Sequence, residues 1–402
     1  MDRRNLLYPV SKPNDRAFVS AFGAECMGED GKRYLDCNEM SVVLGQANPR
    51  FIAKMEQALK GYTGSKEGVG VYEERLTGYL MEGTGGDFSA IHYTASGSEA
   101  AEWAVKLARR MTRRTEVLSF WNSIHGRTQL SASMSGLPAR HKGYGPMDPG
   151  VVFGIYPHCS HCPFGRKCVE MPFYCLEFLD MKLRMESAQD LAAVIVEPYL
   201  GSSLAAPPEG YLKALYRWTK ERGAFFILDE VQAGIGRTGK LFAYQELGFV
   251  PDMLLLGKAL GNGLHVSALL VKNRPDPDAL FALAGGTGND VLAMAAGCAV
   301  WEELTKEGLL DHISEVSREL AAGFLTVREQ CSGKVREVNL HGLAASIEFW
   351  DQDTADRVFK TLTEQGFLLG RRENLLYVKP PYAITETQVR ELSQRLLEAA
   401  RE

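Results

Sequence analysis

Short apolar runs separated by helical stretches constrain this chain more than any other feature. AIHYTA from Ala90, EVLSF from Glu116, AAVIV from Ala192, AFFILD from Ala224 and MLLL from Met253 each have the length and composition of a strand. Between two of them, YLKALYRWTKERG carries Leu212, Leu215 and Trp218 at helical spacing and stops at Gly223, a residue suited to a helix C-terminus. Runs this apolar need cover on both faces, so the alternation predicts an α/β fold with a mainly parallel sheet. Val389, Leu392, Leu396 and Leu397 mark one more amphipathic helix near the end. No internal repeat or low-complexity linker interrupts the pattern, and residues after about 295 open what reads as a second, smaller domain.

Composition narrows the class. With 402 residues, 45% hydrophobic and 24% charged, the chain can bury a large core, which excludes disorder. A net charge of -5 carries no instruction toward nucleic acid or an anionic membrane. The start, MDRRNLLYPV, runs into polar SKPNDR before any export-signal core develops, and no apolar run approaches membrane-spanning length, so the expected location is the cytoplasm. Cys159, Cys162, Cys168 and Cys175 crowd into HCSHCPFGRKCVEMPFYC beside His158 and His161. The first pair has the C-x2-C spacing of a metal turn, but the second is separated by six residues, outside the spacing of a zinc partner. Reduced thiols in a loop, with no metal, are the expectation.

Three strand ends carry polar residues. In IHYTASGSEAAEWAVKLARR, Ser96 and Glu99 have capping-box spacing, Gly97 permits close backbone approach, and Ser98 offers a hydroxyl. A capped helix start needs no ligand, yet its N–H groups and dipole suit a phosphate. In FFILDEVQAGIGRTGK, Asp229 and Glu230 end a strand at the edge where α/β sheets bind ligands, although solvated acids also end strands. The run from Gly234 to Gly239 formally matches a dinucleotide fingerprint, but it neither follows the strand directly nor opens a helix. Leu241 stands where a phosphate-binding loop needs Ser or Thr. In LLLGKALGNGLHVSALL, Lys258 sits inside an apolar run, where an ammonium is costly unless it is paired, consumed or solvated. An anion cradle, a carboxylate and a lysine at neighbouring strand ends are the groups that pyridoxal phosphate requires: an anchor, a partner for the ring nitrogen and an amine for the imine.

With YLD and LGQANP, SGSEAAEWAVKLAR, IHGRT, VEP, LDEVQAGIGRTG, GKALGNGL and PPYAIT, the chain resembles the class III pyridoxal-phosphate aminotransferases, the group of acetylornithine, ornithine and 4-aminobutyrate aminotransferases. The resemblance implies fold type I, with a large cofactor-binding domain over 50–295 and a small α+β domain from 1–49 and 296–402. It also implies a homodimer with shared active sites, an amine donor and an oxo-acid acceptor. Lys258 resembles the Schiff-base lysine, Asp229 the ring-nitrogen partner, and Gly97 with Ser98 part of the phosphate site. Val231 is expected against a ring face, Gln232 near the phenolic oxygen, Thr287 at the neighbouring subunit's phosphate and Glu197 near the substrate. Two positions depart from the family. Ile124, before His125, replaces an aromatic that stacks on the ring, with Trp121 as an alternative source of stacking. Tyr377 stands where an arginine often clamps an α-carboxylate, and a phenol cannot replace a bidentate guanidinium. The donor is therefore expected to carry its amine far from any carboxylate, with Arg127, Arg371 and Arg372 as cations for the oxo acid. Racemases, decarboxylating enzymes and aminomutases share the core motifs. A non-catalytic binding protein and a nucleotide-binding enzyme are more distant alternatives.

Overall fold

The computed structural model describes residues 17–61, 69–165, 173–280 and 290–402. Thr287 and Cys168 fall outside these residues. Near the start, β1 (Phe18–Phe22), β2 (Glu25–Gly28) and β3 (Arg33–Asp36) form antiparallel pairs. Helices α1 (Pro49–Lys60) and α2 (Val71–Gly83) follow. The Asn48 side chain accepts from Phe51 N to cap α1, and Pro49 occupies the first helical position, where its missing N–H costs nothing.

The central region alternates as the sequence predicts: β4 (Ala90–Thr94), α3 (Gly97–Thr112), β5 (Glu116–Phe120), α4 (Gln129–Ser133), β6 (Val151–Gly154), α5 (Tyr174–Glu186), β7 (Leu191–Val196), α6 (Tyr211–Glu221), β8 (Phe225–Asp229), β9 (Met253–Leu256) and β10 (Ser267–Val271). The seven strands lie in the order β4-β10-β9-β8-β7-β5-β6. From β9 to β6 every pairing is parallel, whereas β10 runs against both of its neighbours. Strands β6 and β10 are additions to the five expected. The reversal at β10 has a geometric cause: residues 257–266 hold one short turn, too little chain for a parallel crossover.

Both faces of the sheet are covered. Leu118, Val194, Leu228, Leu254 and Leu270 point into the core shared with Leu76 and Leu80 of α2 and Leu215 of α6. Their strand neighbours Val117, Ile195, Ile227, Leu255 and Leu269 pack on the other side against Ala100, Ala104 and Leu107 of α3. The period of two along each strand sends adjacent residues to opposite cores, which explains runs with no polar alternation.

The last part comprises α7 (Pro277–Leu280), α8 (Val291–Lys306), α9 (Leu309–Gln330), β11 (Val335–Leu340), β12 (Ala345–Phe349), α10 (Gln352–Glu364), β13 (Phe367–Leu368), β14 (Gly370–Arg372), β15 (Leu375–Val378) and α11 (Glu386–Arg401). Strands β11-β12-β15-β14 form an antiparallel sheet, and β13 pairs in parallel with β3, so the two ends of the chain share a sheet. Val389, Leu392 and Leu396 of α11 are buried, as their spacing requires.

Candidate active site

The carboxyl ends of β4, β5, β7, β8 and β9 all open on one edge of the central sheet, and a cavity of about 780 Å³ lies there. Asp229, the last residue of β8, lines it, as does Lys258, which follows β9 through Gly257. Lys258 has φ 44°, a left-handed conformation unusual for a side-chain-bearing residue and costing about 1–3 kcal/mol. Burial lowers its amine pKa, opposed by the Asp229 and Glu197 carboxylates. Asp229 Oδ2 lies 2.8 Å from His125 Nδ1, and Oδ1 accepts from Val231 N at 3.1 Å. An acceptor at Nδ1 requires a proton there, which fixes the tautomer of His125. The adjacent acid, Glu230, turns the other way: its two oxygens accept from Ala243 N and Tyr244 N, and burial raises its pKa to about 8. Strand alternation thus assigns one acid to the cavity and its neighbour to the scaffold.

At the end of β4, Ser96 Oγ accepts from Glu99 N while Glu99 Oε2 accepts from Ala95 N, a near capping box that starts α3 with Gly97 and Ser98 at the cavity wall. Ser98 Oγ accepts from Arg127 N at 3.1 Å, which leaves its own proton available. Gly97 is required here: a Cβ would meet the Val231 methyls at 2.9 and 3.0 Å. The loop after β5 supplies Ile124 and His125, both lining the cavity. Gln232 lines it too, with Nε2 3.4 Å from Met40 Sδ.

On the opposite flank, Glu197 Oε2 accepts from Ile124 N at 2.9 Å and Oε1 from Gly201 N at 2.8 Å. Burial pushes its pKa up to about 7, partly offset by His125. The carbonyl of Gly201 accepts from Lys379 Nζ at 2.8 Å. Lys379 is only 2% exposed, lines the cavity, and carries its ammonium 4.5 Å above the Tyr377 ring. Burial and then the nearby Lys258 lower its pKa to about 7. Tyr377 in turn lies across Gly370, its register partner on β14, where a side chain would overlap the ring.

The structure brings together Gly97, Ser98, Ile124, His125, Arg127, Glu197, Asp229, Val231, Gln232, Lys258, Arg371, Arg372 and Tyr377 around one cavity. Thr287 lies outside the described residues. Trp121 is 45% exposed and absent from the cavity wall, which corrects its suggested stacking role. Arg371 pairs with Asp356, and Arg372 reaches Asn122 at 3.4 Å. The glycine-rich run from Gly234 shapes a turn that buries Arg237, whose Nη1 donates to the carbonyls of Leu343 and Pro380. That turn is no phosphate cradle. Sequence reasoning missed Lys379 and Arg140, both in the wall. Lys379 directly follows β15, whose Tyr377 lines the same cavity.

These residues fit pyridoxal phosphate. Among the described residues, buried Gln232 Oε1 and His125 Nε2 have no hydrogen-bond partner, which suits polar company from a ligand. The tight Gly97–Val231 approach leaves a narrow apolar wall beside a helix N-terminus, suited to a flat ring bearing a phosphate.

Comparison with known proteins agrees. The family described as Aminotransferase class-III matches residues 9–400. An acetylornithine aminotransferase of Rhodobacter capsulatus is 32% identical, over 96% of this chain and 94% of its own. A diaminobutyrate–2-oxoglutarate aminotransferase of Rhizobium meliloti is 31% identical, over 95% and 87%. Among solved structures, the taurine:2-oxoglutarate aminotransferase of Bifidobacterium kashiwanohense, in complex with pyridoxal phosphate and glutamate, superposes with a TM-score of 0.87 at 24% identity, covering 96% of this chain and 92% of that one. The fold is type I, and the chain belongs to the class III aminotransferases, enzymes that transfer amino groups with pyridoxal phosphate.

Proposed function

We propose that Lys258 is the cofactor-linking and proton-moving residue of an aminotransferase whose donor amine stands far from any carboxylate, and that Lys379 helps to hold the oxo-acid acceptor. The observation that carries the first part is the placement of Lys258 and Asp229 at adjacent strand ends on one cavity, with His125 locked on Asp229. The chemistry supplied by bound pyridoxal phosphate is an aldehyde that exchanges with amines and a protonated ring that draws electrons from the carbon bearing nitrogen.

This chain's residues do the rest. The Asp229 carboxylate, oriented by His125, holds the proton on the ring nitrogen, because a nearby anion favours the cationic form. Burial favours the neutral Lys258 amine, whose Nζ would take a proton from the donor carbon and hold it for return once the cofactor is bound. Gly97, Ser98 and the start of α3 hold the phosphate, joined by Thr287 from a neighbouring subunit of a homodimer. Val231 and Ile124 confine the ring by aliphatic packing, and Gln232 faces its phenolic oxygen. The small domain is formed by 1–49 and 296–402 around the large domain of 50–295, and the enzyme works in the cytoplasm. Among the described residues, no helix is long and apolar enough to cross a membrane.

Tyr377 supports the donor reading, since it offers no guanidinium for an α-carboxylate. The acceptor still needs a cation. Arg371 is engaged by Asp356, while Lys379, Arg127 and Arg372 remain on the cavity wall. Borohydride trapping followed by peptide mass analysis is expected to label Lys258, and Asp229→Ala to slow single-turnover proton abstraction by orders of magnitude while retaining some cofactor. Half-reactions with diamines, ω-amino acids, amino alcohols and α-amino acids are expected to run fastest for the remote amines. Label on another lysine refutes the site; fastest turnover of α-amino acids refutes the donor class.

A further inference from the structure

Away from the cavity, the loop after β6 brings two imidazoles to two carboxylates. His158 and His161 flank a 3-10 turn over Cys159–His161, and their rings stack with centroids 4.4 Å apart. Facing them are Glu337 of β11 and Glu348 of β12, register partners in an antiparallel pair. His158 Nε2 is 2.6 Å from Glu337 Oε2. His161 Nε2 is 2.8 Å from Glu348 Oε2 and 3.9 Å from Glu337 Oε2. Both ring nitrogens and the Glu337 carboxylate offer ligand atoms within 4.8 Å of one another.

The other oxygens are held elsewhere. Glu337 Oε1 accepts from Ser160 Oγ at 2.7 Å, and Glu348 Oε1 accepts from Asn374 Nδ2 at 3.2 Å and faces Arg336 at 3.4 Å. One oxygen of each acid is therefore steered toward the imidazoles by partners of the kind that orient metal ligands. Two carboxylates directly opposite in a sheet repel, Arg336 meets only the outer oxygen of Glu348, and a cation among the imidazoles would relieve the rest. Side-chain exposures of 20–29% for His158, His161 and Glu337 leave a route from solvent.

We propose that His158, His161 and Glu337 form a binding site for a divalent transition cation, with Zn²⁺ the ion that this donor set suits best and Glu348 placed beside His161 as a flanking carboxylate. Two imidazoles argue against Ca²⁺ and Mg²⁺, which take oxygen ligands, and two nitrogens with one carboxylate oxygen supply three tetrahedral positions, the fourth left to water or to Glu348 after a side-chain rotation. Bonds of about 2.0–2.2 Å place tetrahedral ligands roughly 3.3 Å apart. The observed separations of 2.6, 2.8 and 3.9 Å straddle that value, so small side-chain rotations assemble the site. The described cysteines of this loop, expected to be reduced and metal-free, are not among the clustered donors, and the proposed ion departs from that metal-free expectation through the histidines. The ion ties the loop to β11 and β12, and β12 pairs with β15, which carries Tyr377 into the cavity wall.

The test uses the holoenzyme, dialysed against a chelator and then titrated separately with Zn²⁺ and Co²⁺ near neutral pH. The wild type is expected to take up one ion per chain, to melt at a higher temperature with Zn²⁺, and to show visible Co²⁺ ligand-field bands with the cofactor absorbance unchanged. The double variant His158→Gln/His161→Gln and the single variant Glu337→Gln are expected to weaken uptake by about 10- to 100-fold. Cys159→Ser/Cys162→Ser is expected to bind as the wild type does. The wild-type measurements stand even where a variant folds poorly. Absence of saturable uptake by the wild type overturns the site, as does uptake lost with the cysteines but kept without the histidines, or uptake that alters the cofactor spectrum.

Discussion

Replacing Lys379 with methionine keeps most of the side-chain volume and removes the charge. If its ammonium holds the acceptor carboxylate, the loss is that of one charge-assisted hydrogen bond, about 1.5–3 kcal/mol, or a 10- to 100-fold fall in the acceptor's kcat/KM. The full effect belongs near pH 6, because a pKa of about 7 leaves the amine only half charged at pH 7. As pH rises through 7, the Lys379 cation is lost while Glu197, also near 7, gains its negative charge. Both changes repel the acceptor, so wild-type kcat/KM should fall on the alkaline side. Lys379→Met should be low and flatter, keeping only the Glu197 limb, and adding Glu197→Gln should level it. Stability should move the opposite way. The folded protein holds this lysine near 7 against an ordinary 10.5, so folding opposes its protonation fully below about pH 7, and that penalty fades as pH rises toward 10.5. Lys379→Met should therefore melt no lower than the wild type at pH 7. The assay is single-turnover reaction with a series of oxo acids, followed by the cofactor's absorbance, beside a carbonyl acceptor lacking a carboxylate. An unchanged kcat/KM for oxo acids, or an equal loss for the uncharged acceptor, refutes the role.

Two further outcomes follow from the scaffold. Burial holds the Glu230 carboxyl near 8 against an ordinary 4.5, so its contribution to stability is complete below about 4.5 and is lost as pH rises through 8. Glu230→Gln, measured by thermal melting from pH 5 to 8, should lose that slope and lie below the wild type by about 1–3 kcal/mol at pH 5, because one backbone N–H loses its acceptor. Gly370→Ala places a methyl in the Tyr377 ring, and overpacking of this kind costs about 1–3 kcal/mol. It should lower the melting temperature and disturb oxo-acid KM more than cofactor binding, and an unshifted melt would show that the ring can move aside freely.

The strands β5 and β9 were legible to the residue, because each is a buried run bounded by turn residues, and so was the Ser96 cap, because its partner lies three residues away. Local signals such as these survive in a single sequence. The direction of β10 was not visible, since it depends on the length of a connection inside an apolar stretch that periodicity reads as continuous. Residue type alone did not separate adjacent Asp229 and Glu230; only the family resemblance singled out Asp229, and the structure turns it to His125 and the cavity while Glu230 meets the backbone of Ala243 and Tyr244.

The hardest features to read pair residues from distant segments. His158 meets Glu337 across 179 positions, a pairing that the spacing of residues within the loop does not reveal. Lys379 shows a related point about substitutions within a motif. In the proposed reading Tyr377 offers no guanidinium, but Lys379, the residue after β15, carries its ammonium over the Tyr377 ring, with Nζ donating to the Gly201 carbonyl. Charge at that face is therefore retained while its geometry changes, from a bidentate fork to a point charge that titrates. An enzyme with this arrangement binds a carboxylate less directionally and more weakly as pH rises, a trait that an always-charged arginine at position 377 could not give.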